Sequence, residues 1–222
     1  MLFGDNVRAR CVEKDGRLYV GVTTAMQLVK QLWGEESDSY GPAALSRIHC
    51  AEGSGCHAVC LDWLAHAHGL LPEFVPPAWP SDVHPDEARW HNVMANALTG
   101  FQAFCEEYAV VPIGIEQEVF SAAYGLVGHV DLYCELTWMK KRRRAVIDLK
   151  FCASLMESHK IQLRCYSKLD GIKDAQIGLL YQSNRNIGDW KLKQVDLTTG
   201  LDDVAAVANA ARLFSWAEQK GR

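Results

Sequence analysis

The sequence predicts an α/β fold with a mixed central sheet flanked by helices, and three observations carry that expectation. Segments 110–120, 124–135 and 145–152 are rich in β-branched and aromatic residues, and the last reads as the alternation of a half-buried strand. The segment from Asp86 to Tyr108 places Trp90, Val93, Met94, Ala97, Phe101 and Phe104 at helical spacing, the stripe of a helix laid on a core. At 222 residues and 49% hydrophobic content, the chain is long enough to bury a sizeable core and is read as one domain, residues 1–222.

Taken in order, residues 1–20 suggest a short strand or hairpin turning at Asp15-Gly16, and Thr23 or Thr24 suits the cap of a helix through about Trp33. Gly34 to Gly41 reads as a polar loop. A helix follows, entered at Gly53-Ser54-Gly55, with Ser54 as its cap, and ending at Gly69. Residues 71–85 are an irregular excursion, because Pro72, Pro76, Pro77, Pro80 and Pro85 remove backbone donors and fix φ. Phe74 and Trp79 within it offer either base stacking or packing onto the core. The helix 86–108 leads into the three strands, with the basic run Lys140 to Arg144 at a hairpin tip. A helix over about 156–170, strands near Asp174 to Gln182 and Trp190 to Val195, and a helix from Leu201 to Gln219 complete the outline.

The chemistry concentrates between positions 116 and 166. In Ile147-Asp148-Leu149-Lys150 the period of two puts a carboxylate and an ammonium on one strand face. Pairing that strand with Leu126 to Tyr133 brings Asp131 and Asp148 to one edge. Two carboxylates converging there make a hard oxygen site suited to Mg²⁺ or Mn²⁺, and Lys150 can neutralise charge on an attacked phosphate. Glu116, on the preceding strand, can add a further acid, though Glu118 shares its face. Gln162 and Tyr166 stand one helical turn apart on a common face.

The ordered set Gly128-His129-Val130-Asp131, Asp148-Leu149-Lys150 and Gln162 to Tyr166 resembles the PD-(D/E)xK nucleases. The nearest branch is the RecB-like one, which includes phage exonucleases, CRISPR-associated RecB-type nucleases and mitochondrial single-strand exonucleases. The resemblance spans roughly positions 20 to 170, and Gly16 to Thr24 is similar to the opening of phage members. It implies a restriction-endonuclease-like core and Mg²⁺- or Mn²⁺-dependent hydrolysis of DNA, exonucleolytic in kind, by in-line attack of a metal-activated water. The metal would be held by His57, Asp131, Asp148 and the Leu149 carbonyl, with Glu116, Asp131, Asp148 and Lys150 as the catalytic set. Family spacing favours Glu116 over Glu118, and the glycine-flanked entry favours His57 over His49, His66 and His68. Gln162 and Tyr166 would lie near the DNA backbone, with Lys160 and Arg164 positioning phosphates beside them. A non-catalytic DNA-binding subunit of the same fold and an endonuclease of the same superfamily are the competing readings.

The net charge of −4 gives no overall basic field, so affinity for single-stranded DNA or duplex ends has to come from a local basic face and bound metal. Eight cysteines without a regular framework suit reduced thiols in a cytoplasmic compartment, bacterial or that of a phage-infected host. No apolar run approaches the ~20 residues that span a bilayer, so no membrane association is expected. A recombination or replication protein is the expected macromolecular partner besides DNA.

Overall fold

A computed structural model describes residues 11–32, 43–172, 174–186 and 188–220. The predicted loop from Gly34 to Gly41 and any strand before Cys11 fall outside those residues. Among them, seven strands form a mixed sheet and five helices cover it: β1 (Cys11–Lys14), β2 (Arg17–Gly21), α1 (Val22–Leu32), α2 (Ala43–Ala67), α3 (Glu87–Glu107), β3 (Val111–Ser121), β4 (Leu126–Trp138), β5 (Lys141–Lys150), α4 (Glu157–Tyr166), β6 (Ile177–Ser183), β7 (Trp190–Val195) and α5 (Leu201–Lys220). The α/β expectation holds. None of the described helices is long and apolar enough to cross a membrane.

Strand order is β1-β2-β4-β5-β6-β7, with β3 also paired to β4. The β2–β4 and β5–β6 pairs are parallel and the others antiparallel. One face packs a core with α1, α4 and α5, including Leu28, Leu163 and Phe214. The other packs α2 and α3 through Leu64, Phe101, Phe104 and Tyr181. Both helical layers therefore bury their apolar stripes on one sheet, the arrangement that lets a mixed sheet bury both faces.

Three local expectations differ from the structure. The helix α2 begins at Ala43, so Gly53-Ser54-Gly55 lies inside it and Ser54 does not cap it. The glycine there answers to packing: a Cβ on Gly55 would sit 2.4 Å from the Trp90 ring of α3. Likewise α1 starts at Val22, which places Thr23 and Thr24 in its first turn rather than at a cap. The tip of the β4–β5 hairpin is Met139-Lys140, both at positive φ, and Lys141 to Arg144 belong to β5 itself. Arg142 and Arg144 pair there with Glu135 across the hairpin at 3.6 and 3.5 Å. Residues 71–85 are irregular apart from turns, as the prolines require, and Phe74 and Trp79 pack against the second core.

The site is positioned by how β4 is shared. β3 runs beside it, whereas β2 pairs only with Leu126 and Val127, and β5 only with Leu132 to Trp138. Gly128 to Asp131 thus lie where the ladder opens. Helix α4 presses onto that opening, since a Cβ on Gly128 would meet both Leu169 and the Tyr166 ring at 2.7 Å. The glycine of the strand motif is there for this close approach.

Candidate metal centre and its cleft

At the opening in the ladder, the side-chain alternation of β4 slips. Val130 packs into the first core and Leu132 into the second. Between them stands Asp131, and the register places Glu116 of β3 opposite it, held at φ 47°. A non-glycine residue in the left-handed region is strained by about 1 kcal/mol or more, a cost concentrated at functional positions. The strain turns Glu116 toward Asp131. Glu118, the competing acid, pairs instead with His129 at 3.2 Å on the open surface.

From the α2 side comes His57. Its Nδ1 lies 3.6 Å from Asp131 Oδ2, and its ring meets Phe151 edge-on at 5.3 Å. One ligand atom each from His57, Glu116 and Asp131 falls within 4.8 Å of the others. Among the described residues these three are the group that gathers so. Asp131 is further fixed by the Leu149 N–H, which donates to its Oδ2 at 2.7 Å. A carboxylate thereby takes the place of a strand ladder bond, and such charge-assisted bonds contribute about 1.5–3 kcal/mol.

Asp148 lies beside this group and points to the α4 face with Lys150. It is 1% exposed, and Lys150 Nζ stands 2.7 Å from its Oδ2, an ion pair rather than an aligned hydrogen bond. Neither Asp148 oxygen has a hydrogen-bond partner. Burial pushes the carboxyls of Asp131 and Asp148 up to about 6, with Lys150 pulling both the other way. Burial opposes the charge on Lys150, but the two aspartates prevail and hold its ammonium more firmly protonated. Burial, aided by Lys150, lowers His57 and keeps a neutral imidazole available.

Gln162 and Tyr166 form the back wall. Lys150 Nζ donates to Gln162 Oε1 at 3.3 Å, and Gln162 Nε2 donates to the Tyr166 hydroxyl at 2.7 Å. Both are buried, at 9% and 5% exposure, so they hold Lys150 rather than lining the main cleft. That cleft, about 920 Å³, runs between α2 and the segment after β5, and is lined by His57, Glu116, Asp131, Leu149 and Lys150. Lys160 and Arg164 do not line it. Lys160 pairs with Glu157, and Arg164 ties α4 to Asp203 of α5 at 3.3 Å and to the Asp196 carbonyl.

Two residues absent from the sequence-based set also belong to the cleft. Arg185, in the β6–β7 loop, and His49 of α2 both line it, and both contact Glu52, whose side chain is fully buried. The available signal was Glu52 itself: with Cys56, Cys60 and Leu64 it follows a four-residue spacing, so an acid falls on the apolar stripe of α2. The thiols of that stripe are structural, and burial raises Cys56 to about 12.

A divalent cation fits this donor set. Two carboxylates and an imidazole gather at one open volume that Leu149 also lines, and Asp148, ion-paired with Lys150, lies behind them. No family model and no curated protein matches the chain. It is similar to a solved structure described as "Crystal structure of SSO0001", at 11% identity and a TM-score of 0.36 over 86% of this chain and 84% of that one, a likeness too slight to speak for function.

Proposed function

We propose that the protein is a divalent-metal-dependent deoxyribonuclease, an exonuclease of the RecB-like kind acting on single-stranded or duplex ends in a cytoplasmic compartment. The observation that supports this most is the convergence of His57, Glu116 and Asp131 beside the Asp148–Lys150 pair, at the point where β5 leaves β4. The separation of roles is what phosphodiester hydrolysis asks for. His57, Glu116, Asp131 and the Leu149 carbonyl would hold Mg²⁺ or Mn²⁺, with Asp148 able to join from behind. When bound, the ion supplies Lewis-acid charge to the phosphate and acidifies water. Lys150, kept charged by two aspartates and steadied by Gln162, places its ammonium beside the phosphate that gains charge in the transition state. Tyr166 fixes Gln162 and so sets the direction of Lys150. Phe151 and Leu61 give the cleft apolar walls.

The test is degradation of end-labelled linear single-stranded, linear duplex and circular DNA with Mn²⁺, Mg²⁺ or EDTA. The expected result is metal-dependent loss of linear DNA only, lowered at least about a hundredfold by Lys150→Ala and by Asp148→Ala. Cleavage of circles would identify an endonuclease. DNA binding without cleavage under either metal would replace the enzyme with a binding subunit.

A further inference from the structure

Glu52 is a buried acid, at 0% exposure, and it gathers four basic side chains. Its Oε1 accepts from Arg89 Nε at 2.8 Å and faces His84 Nε2 at 3.2 Å. On its Oε2 side are Arg185 Nη1 and His49 Nδ1, the latter at 3.4 Å. A buried carboxylate needs a counter-charge, and Arg89 already provides one. Arg185 brings the cluster to an excess of positive charge. Unlike Arg89, it lines the cleft that holds His57, Asp131 and Lys150.

The backbone aims it there. Arg185 sits at φ 67°, with its N–H donating to Ser183 Oγ at 3.1 Å and its carbonyl accepting from Asn96 Nδ2 at 3.2 Å. These bonds hold that left-handed conformation within the β6–β7 hairpin connection. Of its guanidinium, Nη1 is committed to Glu52, while Nε and Nη2 make no further hydrogen bond among the described residues. A guanidinium anchored at one corner, 18% exposed on a cleft wall, is a preorganised fork for a tetrahedral oxyanion.

Resting on the nuclease reading, we propose that Arg185, braced by Glu52, binds a non-scissile phosphodiester of the same DNA strand that is being cleaved, and so sets how the strand threads the cleft. It is a binding residue. The scissile phosphate belongs to the metal centre and Lys150, whereas Arg185 reaches the cleft from the β6–β7 loop.

The test is steady-state cleavage of a short single-stranded oligonucleotide with Mn²⁺ by the wild type, Arg185→Lys and Arg185→Gln. Each enzyme is assayed on the natural strand and on strands carrying one uncharged methylphosphonate at successive linkages. Arg185→Gln is expected to raise KM about tenfold with little change in kcat, and to reduce the salt dependence of binding by roughly one ion. One linkage away from the scissile bond should raise KM when neutralised in the wild type and no longer do so in Arg185→Gln. Arg185→Lys should fall between, keeping charge without the fork. If Arg185→Gln does not fold, the same scan on Arg185→Lys decides, a reduced cost at that linkage supporting the proposal and an unchanged one overturning it. An unaltered KM in Arg185→Gln, or a raised KM with every methylphosphonate costing what it costs the wild type, overturns the phosphate contact and leaves the nuclease reading intact. A wild type that neither binds nor cleaves DNA removes both.

Discussion

Asp131 and Asp148 have the same side chain and different surroundings, and the difference divides the site. Asp131 spends one oxygen on the Leu149 N–H and faces His57 and Glu116, while Asp148 faces Lys150 and the α4 wall. Glu116 is the residue whose role the geometry sharpens most, since its positive φ carries it into the cluster that Glu118 does not enter. We predict that Glu116→Gln weakens Mn²⁺ binding by calorimetry on the order of 10- to 100-fold. Glu118→Gln should leave it unchanged, because the Glu118–His129 pair is exposed and contributes at most about 1 kcal/mol. Equal effects of the two substitutions would remove Glu116 from the site. At this scale the strand motifs were legible because a period of two fixes which side chains share a face. The Glu52–Arg185 contact was not, since it joins residues 133 apart through a loop whose course no local pattern sets.

Strands and helices were legible where a long apolar period marked them, as in α3, and misjudged where one residue type answers to two causes. Gly55 reads as part of a helix entry but lies inside α2 and serves its contact with Trp90, a tertiary cause that sequence alone does not separate from the local one. The β4–β5 hairpin shows the reverse. Its two turn residues, Met139 and Lys140, adopt φ of 48° and 63°, which the right-handed twist of the strands demands and which neither side chain favours. A basic run without glycine or asparagine carries no turn signal, so the sequence alone spreads the tip over the whole run. Replacing the pair with Asn-Gly is predicted to stabilise the protein by about 1 kcal/mol, a rise in Tm of about 2 to 4 °C. Met139 is 77% exposed, so no packing is lost. A calorimetric scan showing no gain would mean the hairpin relaxes out of this turn.

Across the whole molecule, Glu52 joins parts that the sheet does not: α2 carries it, Arg89 comes from the start of α3, His84 from the proline-rich excursion, and Arg185 from the β6–β7 loop. Burial would raise its carboxyl, but the bonds from His84 and Arg89 and the charges of Arg185 and Arg89 outweigh that and hold it below the usual range. A carboxyl with a depressed folded pKa contributes stability that is present above its unfolded value, near 4.5, and is lost as pH falls through the folded value. Glu52→Gln keeps the size and removes the charge, leaving four basic side chains facing a neutral amide. The expected cost at pH 7 is about 2 to 3 kcal/mol, less than for a fully buried pair because the Arg89 side chain is half-exposed. In urea titrations without added metal, this difference from wild type should narrow below pH 4.5, because acid neutralises the wild-type carboxyl as the substitution does. A difference that stays constant from pH 7 to pH 3 would show that Glu52 acts through shape and hydrogen bonding alone, and that the excursion, α3 and the β6–β7 loop are held together by something other than its charge.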